Sequence, residues 1–277
     1  MAESAIPRQE TTEAHDPAPG LLARMGAAVW DRWPPIAAVV GLLLGWHAIV
    51  VGFNVPTFMA PGPLDVIDAF QRHSDTLWRN FWPTFTSASL GFLAGNLTAI
   101  VLAIWFVHSR AAERAFFPIA VFINTIPILA IAPILVLIFG TGYTPKIIIA
   151  ALICFFPTLV NMVRGLKAVS PATLELMRVL SASNREVLFK VRLQSSLPFL
   201  FAALKIASTT CVIGAIVAEW IGSNFGLGAL IIEATYNFRS PLLYATVFTA
   251  ALLAVTLFVI VSVIEKRVIR WKAEAVH

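Results

Sequence analysis

Long apolar segments alternate with shorter polar ones along most of the chain. Six of the apolar runs are about 17–25 residues long, the length that an α-helix needs to cross a bilayer core at about 1.5 Å per residue. A membrane-spanning strand would instead alternate apolar and polar residues over about ten positions, whereas these runs are continuous. The sequence therefore predicts an all-α integral membrane protein with six transmembrane helices, at residues 36–53, 85–107, 115–139, 147–163, 198–221 and 242–264.

The same pattern divides the chain into a membrane domain and two tails. Residues 1–33 mix charged side chains with scattered prolines and are predicted to form a poorly ordered cytoplasmic tail. The membrane domain covers residues 34–265, with a polar loop at 164–197 between the fourth and fifth runs. Residues 266–277 are predicted to be a second cytoplasmic tail.

Composition agrees with a chain that is surrounded by lipid. Asp, Glu, Lys and Arg make up 13% of the 277 residues, about half of the roughly 25% that is usual in soluble chains. The hydrophobic share is 58%, which excludes a disordered protein, a collagen-like repeat and a small disulfide scaffold. Cys154 and Cys211 lie in apolar runs without redox or metal spacing, so we expect them to be small packing residues.

Basic residues are unevenly divided between the two sides of the predicted spans. If the N-terminus is cytoplasmic, all but four of the 20 Lys and Arg residues lie on the cytoplasmic side, the exceptions being Arg72, Arg79, Lys146 and Arg239. Because cytoplasmic segments carry the excess of Lys and Arg, both termini are predicted to be cytoplasmic. This placement also accounts for the net charge of +5 without a nucleic-acid partner.

Proline and polar residues inside the runs mark a candidate pathway for a solute. The third run holds Pro118, Pro127 and Pro133, each of which removes a helical hydrogen bond. Carbonyl groups freed in this way are tolerated where a watery cavity satisfies them, although prolines are also common in membrane helices without that role. The candidate pathway-lining residues are Asn124, Thr125, Pro127, Asn161, Thr209 and Glu219.

Ionisable residues within the runs are few. Such groups are costly in lipid and usually functional, and only His47, Lys205 and Glu219 qualify. We expect His47 to be packed and hydrogen-bonded, and Lys205 to extend toward the cytoplasmic interface. Glu219 lies near the outer end of its run, where we expect it to reach water.

Small residues recur at four-residue steps in three of the runs. Such stripes let helix backbones approach closely, either within one subunit or between subunits, and spacing does not separate these two roles. The stripes are Ala37, Gly41 and Gly45; Gly91, Gly95, Ala99 and Ala103; and Ala203 and Ala207.

The loop between the fourth and fifth runs contains two predicted helix starts. Ser170 can cap a helix whose first residue is Pro171, and Ser183 and Glu186 can form a capping box. The predicted short helices are 171–181 and 184–193. An apolar face on the first consists of Leu174, Met177 and Leu180, with Leu176 and Val179 close by. Such a face suits a groove on a soluble partner or packing on the chain's own membrane helices, and periodicity does not distinguish the two.

Motifs for catalysis and nucleotide binding are absent from the sequence. Glycine never directly precedes lysine, so there is no P-loop, and there is no G-x-S-x-G, H-E-x-x-H or paired Cys-x-x-Cys motif. We therefore expect no catalytic residue, metal site or cofactor in this chain, and if ATP drives transport another polypeptide must hydrolyse it. An ion-coupled secondary transporter is the alternative, but it would be expected to carry midplane carboxylates, and we find none.

The polar loop resembles the cytoplasmic signature of the permease subunits of bacterial binding-protein-dependent ABC importers. That signature is Glu-Ala-Ala, three residues, Gly, nine residues, and then Ile-x-Leu-Pro. Its spacing places the glutamate at Glu175, the glycine at Ser181 and the last four residues at 191–194. Leucine and methionine replace the two alanines at 176–177, and glutamine replaces the final proline.

The resemblance extends from about residue 56 to residue 271. Motifs similar to permeases of the nitrate, sulfonate and taurine type occur at 56–63, 126–127, 155–157 and 219–228. Segments that look more like the branch associated with thiamine pyrimidine precursors or riboflavin lie at 175–178, 190–193 and 212–217.

This resemblance implies a type I ABC importer permease fold in the bacterial inner membrane. The chain would form the pathway for a small organic or oxyanion solute. Its implied partners are cytoplasmic ABC ATPase subunits, a periplasmic or extracellular solute-binding protein and a second permease subunit in a homodimer. The residues implied to couple the loop to the ATPase are Glu175, Leu176, Met177, Leu180, Ser181, Ala182, Ser183, Asn184 and Arg185.

Overall fold

The structure, a computed structural model, describes residues 33–270. Apart from Trp33, the predicted N-terminal tail lies outside the described residues, as do the last seven residues of the predicted C-terminal tail. Every regular element in the described range is helical. The helices are α1 (Trp33–Gly52), α2 (Pro63–Arg72), α3 (Ser74–His108), α4 (Arg110–Thr125), α5 (Ile128–Phe139), α6 (Tyr143–Lys167), α7 (Pro171–Val179), α8 (Asn184–Glu219), α9 (Leu227–Tyr236) and α10 (Ser240–Val268).

Five of these helices are long and apolar enough to cross a membrane, namely α1, α3, α6, α8 and α10. The pair α4 and α5 makes a sixth span if it is counted as one bent segment. The all-α membrane fold that the apolar runs predict is therefore confirmed, with the third run as its irregular member.

Among the described residues, 33–54 form one compact unit that contains α1, and residues 55–270 form the other unit. No residue in the described α1 is buried. His47 is exposed, so the expectation that it is packed is wrong. The small residues of this helix are exposed as well, and their role in packing stays open.

Helices α3, α6 and α8 pack closely at the centre of the second unit, because small residues face one another where the helices cross. Ala99, Ala103, Ala203 and Ala207 are fully buried. A Cβ atom on Gly214 of α8 would lie 3.0 Å from the Cα of Ala150 in α6. The small-residue stripes of the second and fifth runs thus pack within one subunit.

The two cysteines also lie in this core. Cys154 and Cys211 are both fully buried and are not joined by a disulfide. The thiol of Cys154 on α6 donates to the carbonyl of Ala207 on α8 at 3.4 Å. Their predicted role as small packing residues is confirmed.

The third apolar run does not form one continuous helix. Its two halves, α4 and α5, are bent by 95° at residues 126–127, where Ile126 and Pro127 have extended backbone angles. Proline lacks a backbone N–H and forces the preceding residue out of the helical region. Pro118 and Pro133 lie inside their helices, so only the middle proline breaks the run.

The second predicted loop helix is not a separate element. A helix starts at Asn184 as predicted, but it continues through a π-helical turn at Val187–Arg192 into the long apolar helix that ends at Glu219. Pro198 lies inside this helix and does not begin a new one. Lys205 also differs from expectation, because it forms an ion pair with Glu265 of α10 at 2.8 Å rather than extending alone to the interface.

Candidate functional site

Helix α7 is a nine-residue helix that begins with the predicted cap. The hydroxyl oxygen of Ser170 accepts a hydrogen bond from the backbone N–H of Thr173 at 3.1 Å, and Pro171 occupies the first helical turn. The helix ends at Val179, two residues earlier than predicted. A short helix of this kind is stabilised by its own neighbouring residues.

A tight turn connects α7 to α8. Ser181 has a φ of 54°, a left-handed conformation that glycine adopts without strain. It stands at the glycine position of the importer signature, which explains why a glycine suits that place. The next helix then begins with the predicted capping box, in which Ser183 N–H donates to the Glu186 carboxylate at 3.0 Å and Glu186 N–H donates to the Ser183 hydroxyl at 3.3 Å.

The apolar side chains of α7 are largely exposed. No residue of α7 is buried by the described part of the chain. Leu176 and Val179 of α7 and Leu180, which directly follows it, are 57%, 82% and 66% exposed, whereas Leu174 and Met177 are partly covered. The exposed apolar face therefore differs from the predicted one, because Met177 turns partly inward. This exposure does not support the alternative that α7 packs on the chain's own membrane helices.

The other expected coupling residues follow the same pattern. Most of them have side chains in contact with solvent, and only one is partly covered. Exposed members are Glu175, Ser181, Ser183, Asn184 and Arg185, and the partly covered one is Ala182.

Contacts between the membrane helices hold the residues on either side of the exposed helix α7. The Arg192 guanidinium donates to the carbonyl of Leu166 at 3.2 Å, which joins the start of α8 to the end of α6. At the same end, Lys167 and Glu113 form an ion pair of 2.5 Å that joins α6 to α4. These two contacts connect the residues on either side of α7 to helices α4, α6 and α8.

The candidate pathway residues do not form a cluster in this chain. Asn124, Thr125 and Pro127 are exposed at the bend between α4 and α5. The Asn161 side chain donates to the carbonyl of Pro157 at 2.8 Å, and the Thr209 hydroxyl donates to the carbonyl of Ile206 at 2.9 Å. Within residues 33–270 no hydrogen bond connects any two of these polar side chains.

Glu219 is buried, contrary to the expectation that it reaches water. Its side chain is 1% exposed at the end of α8. The Thr84 hydroxyl of α3 donates to the carboxylate at 2.9 Å, and the backbone N–H of Gly228 donates to it at 2.8 Å. Burial of a polar group is tolerated when its hydrogen bonds are satisfied in this way.

The N-terminus of α9 is capped by side chains from distant helices. Three consecutive backbone N–H groups, of Gly226, Leu227 and Gly228, donate to Asn80, Thr84 and Glu219 at 2.9, 2.8 and 2.8 Å. These are the N–H groups that have no partner within the helix itself. We call Asn80, Thr84, Glu219 and residues 226–228 the Glu219 cluster.

Glycine at 226 is required by the geometry of this cluster. Gly226 has a φ of 120°, and a Cβ atom there would collide with the Glu219 carboxylate. The loop before α9 is also held by a cation, because the Lys146 ammonium group donates to the hydroxyl of Ser223 at 2.6 Å. The sequence marked Glu219 and the glycines as a motif, but no local signal pointed to Asn80 or Thr84.

Comparison with protein families matches residues 95–272 to the binding-protein-dependent transport system inner membrane component. The chain is 32% identical to the riboflavin transport system permease protein RibX of Chloroflexus aurantiacus, over 87% of this chain and 92% of RibX. It is 31% identical to the formylaminopyrimidine transport permease protein ThiX of Halalkalibacterium halodurans, over 78% and 86%. Identity to the taurine transport system permease protein TauC of Escherichia coli is 26%, over 88% and 94%.

A solved structure has the same fold. The inward-facing MetNI methionine ABC transporter contains a chain that matches with a TM-score of 0.53 and 22% identity, over 70% of this chain and 93% of that one.

Proposed function

Because the chain belongs to the family of binding-protein-dependent transport system inner membrane components, we propose that its exposed helix α7 is the docking site for an ATPase subunit. The chain is a multi-pass membrane permease subunit of an ABC importer for a small solute. Members of this family work with an ATPase and a binding protein.

The observation that carries the docking proposal is the exposed apolar face of α7. Leu176, Val179 and Leu180 present apolar surface that residues 33–270 leave exposed. A short helix with a few apolar anchors is suited to a groove on a partner. Its base is connected to α4 and α6 by the contacts of Arg192 and Lys167. Closure of an ATPase pair would therefore move the spans and switch the permease between inward-facing and outward-facing states.

We assign ATP hydrolysis to a separate subunit and the second half of the pathway to a second copy of this chain. The polar residues at the bend, Asn124 and Thr125, are exposed in one copy, which supports a pathway that is completed between two copies. Asn161, Thr209 and Glu219 lie on α6 and α8, which form the packed centre of the same unit. The hydrogen bonds that already hold these three side chains favour a structural role for them in one copy. Because Asn124 and Thr125 carry no charge, selectivity would depend mainly on the binding protein.

We propose that both termini are cytoplasmic, with 34–265 as the membrane domain and 1–33 and 266–277 as tails. Helix α6 supports this orientation, because Lys146 lies near its first residue and Lys167 at its last, about 32 Å apart at about 1.5 Å per residue. The sequence assigns these two lysines to opposite sides of the membrane. Lys167 lies beside the start of α7, so the ATPase side is the side with the excess of basic residues.

We further propose that the solute is a nitrogen heterocycle. The permeases for riboflavin and formylaminopyrimidine are 32% and 31% identical to this chain, whereas the taurine permease is 26% identical. Competition between labelled riboflavin and unlabelled formylaminopyrimidine or taurine in cells that express the complete importer measures this preference. Competition by taurine alone would contradict it.

Reconstituted vesicles test the transport mechanism. The permease, its ATPase and its binding protein are placed in liposomes, with ATP on the ATPase side and an uncoupler added in a parallel sample. We expect uptake that requires ATP and is unchanged by the uncoupler. Uptake that persists without ATP and stops with the uncoupler would support the ion-coupled secondary transporter instead.

A further inference from the structure

A large open pocket lies at the end of the bundle that carries the polar loop at 164–197, which contains α7 and which we call the coupling loop. It has a volume of about 780 Å³, within the range of about 300–1,000 Å³ that is usual for ligand sites. Its wall is formed by the end of α3, the start of α4, the end of α6, Val169 before α7, Leu174 within α7, and Arg192 of α8. Apolar side chains, among them Phe106, Phe117 and Leu166, form one part of the lining.

Cationic side chains form the other part. Arg110, Arg114, Lys167 and Arg192 line the pocket together with a single carboxylate, Glu113, which leaves an excess of three positive charges. Glu113 is already bound to Lys167 at 2.5 Å. Within the described residues neither Arg110 nor Arg114 forms an ion pair or a side-chain hydrogen bond, so both guanidinium groups are available to an anion.

Aromatic residues next to the pocket mark the level of the membrane interface. Trp105 and Phe116 lie one residue away from two of the lining phenylalanines, and their ring centroids are 5.2 Å apart. Both side chains are nearly half exposed, at 44% and 46%. Exposed tryptophan is enriched where membrane helices meet lipid headgroups. The pocket is therefore apolar on the side of the bilayer and cationic on the side of the headgroups.

We propose that this pocket binds the headgroup of an anionic phospholipid from the leaflet on the side of the coupling loop. The phosphodiester would lie between Arg110 and Arg114, since arginine binds phosphate oxygens with two parallel N–H groups. The glycerol and upper acyl chain would contact Phe117 and its apolar neighbours. Basic pockets between membrane helices bind anionic headgroups in this manner. A bound lipid would connect α4 to the base of the coupling loop.

Lipid titration of the purified permease–ATPase complex tests this site. The delipidated complex is titrated with phosphatidylglycerol, phosphatidylcholine or glycerol 3-phosphate, and bound lipid is counted by native mass spectrometry. We expect phosphatidylglycerol to bind at least about tenfold more tightly than phosphatidylcholine, and glycerol 3-phosphate to bind weakly. In R110Q/R114Q the affinity for phosphatidylglycerol should fall about tenfold or more, with phosphatidylcholine unchanged.

Two matched variants complete the experiment. R110K/R114K keeps both charges and should retain most of the preference for phosphatidylglycerol. R164Q/R267Q removes two exposed arginines that do not line the pocket, and it should bind phosphatidylglycerol like the wild type.

Several results would overturn the proposal. Unchanged phosphatidylglycerol affinity in R110Q/R114Q, or equal affinity for the two lipids, rules out a headgroup site. Tight binding of glycerol 3-phosphate alone indicates a site for a soluble phosphate. Loss of the ATPase from R110Q/R114Q with normal lipid binding indicates that an acidic protein surface occupies the pocket.

Discussion

Helices α7 and α9 have nearly the same length but are held in opposite ways. α7 has nine residues, none of them buried, and its N-terminus is capped by the adjacent Ser170. α9 has ten residues, four of them buried, and its N-cap Gly226 has no side chain to offer. Its first N–H groups bind Asn80, Thr84 and Glu219 instead. One helix is stabilised by sequence neighbours and the other by distant parts of the fold.

This difference distinguishes a helix whose surface is available to a partner from a helix that belongs to the chain's own core. Interactions between neighbouring residues hold α7 while leaving its apolar face open, so a substitution there should affect the partner more than the fold. Interactions of α9 cross the bundle and are buried. A substitution in the Glu219 cluster should therefore destabilise the chain itself.

Replacement of the buried carboxylate should have the largest effect. Glu219→Ala leaves the buried Gly228 N–H without an acceptor, which costs about 1–3 kcal/mol. It also leaves the Thr84 hydroxyl with only the carbonyl of Asn80, at 3.3 Å, as its acceptor. We expect the free energy of unfolding to fall by about 2–4 kcal/mol, with a lower melting temperature of the purified complex and less chain in the membrane. Glu233→Ala, at an exposed carboxylate of α9, is the control. Equal melting temperatures for the two variants would contradict the structural role of the cluster.

A charge in the exposed face of α7 should act on the partner. In Leu180→Asp an unpaired carboxylate would enter the ATPase groove, and loss of an interface anchor costs about 2 kcal/mol or more, roughly a 30-fold weaker affinity. We expect the ATPase to stop co-purifying and uptake to be lost, while the chain stays in the membrane at normal abundance. Tyr236→Asp, at an exposed position at the end of α9, should leave ATPase binding unchanged. If Leu180→Asp depletes the chain from the membrane while the ATPase still binds, the distinction between the two helices fails.

Loss of the capping box should loosen only the start of α8. Ser183→Ala removes the acceptor for the Glu186 N–H, which costs about 1 kcal/mol and corresponds to about fivefold faster local opening. Hydrogen exchange followed by mass spectrometry should show faster exchange at residues 184–187, without a change in the core of α3. Ser183→Thr keeps the hydroxyl and should exchange like the wild type. Equally fast exchange in both variants would show that the cap contributes nothing.

A substitution in the turn after α7 should have the smallest effect, and it should stabilise the turn rather than destabilise it. Ser181 has a left-handed backbone conformation, which costs a non-glycine residue about 1–2 kcal/mol. Glycine avoids this cost but loses more chain entropy on folding, which offsets part of the stabilisation. Ser181→Gly should therefore stabilise the turn by about 0.5–1 kcal/mol and slow hydrogen exchange at the end of α7. Ala182→Gly, one residue later with no positive φ, should speed that exchange. The same sign for both variants would argue against strain at 181.

The hydrogen bonds that cap the helix starts were predictable from the sequence, because the donor and the acceptor lie within four residues of one another. The Ser170 cap and the Ser183–Glu186 box are present as predicted. The break at Pro127 also follows from one residue, since proline constrains itself and the residue before it. Pro198 shows the limit of this reasoning. The sequence alone placed this proline at the start of an apolar run, whereas the packed helix α8 is continuous through it.

The partners of Glu219 could not be predicted, because Thr84 lies 135 positions away in the sequence. The inward turn of Met177 likewise depends on how α7 sits on its neighbours. Side-chain spacing gives the period of a helix, but it does not say which face the rest of the molecule covers.

By itself the sequence determined the membrane character, the all-α class, the main spans, the helix caps and the permease signature, since each depends on composition or on residues close together in the chain. Only the tertiary structure decided that Glu219 is buried, that α9 is capped from α3 and α8, that Lys205 pairs with Glu265, and that Arg110 and Arg114 face a common pocket. These features bring together residues from different helices, most of them tens of residues or more apart in the chain. A buried polar group needs a partner at hydrogen-bonding distance, and only the packing of the helices brings such partners together.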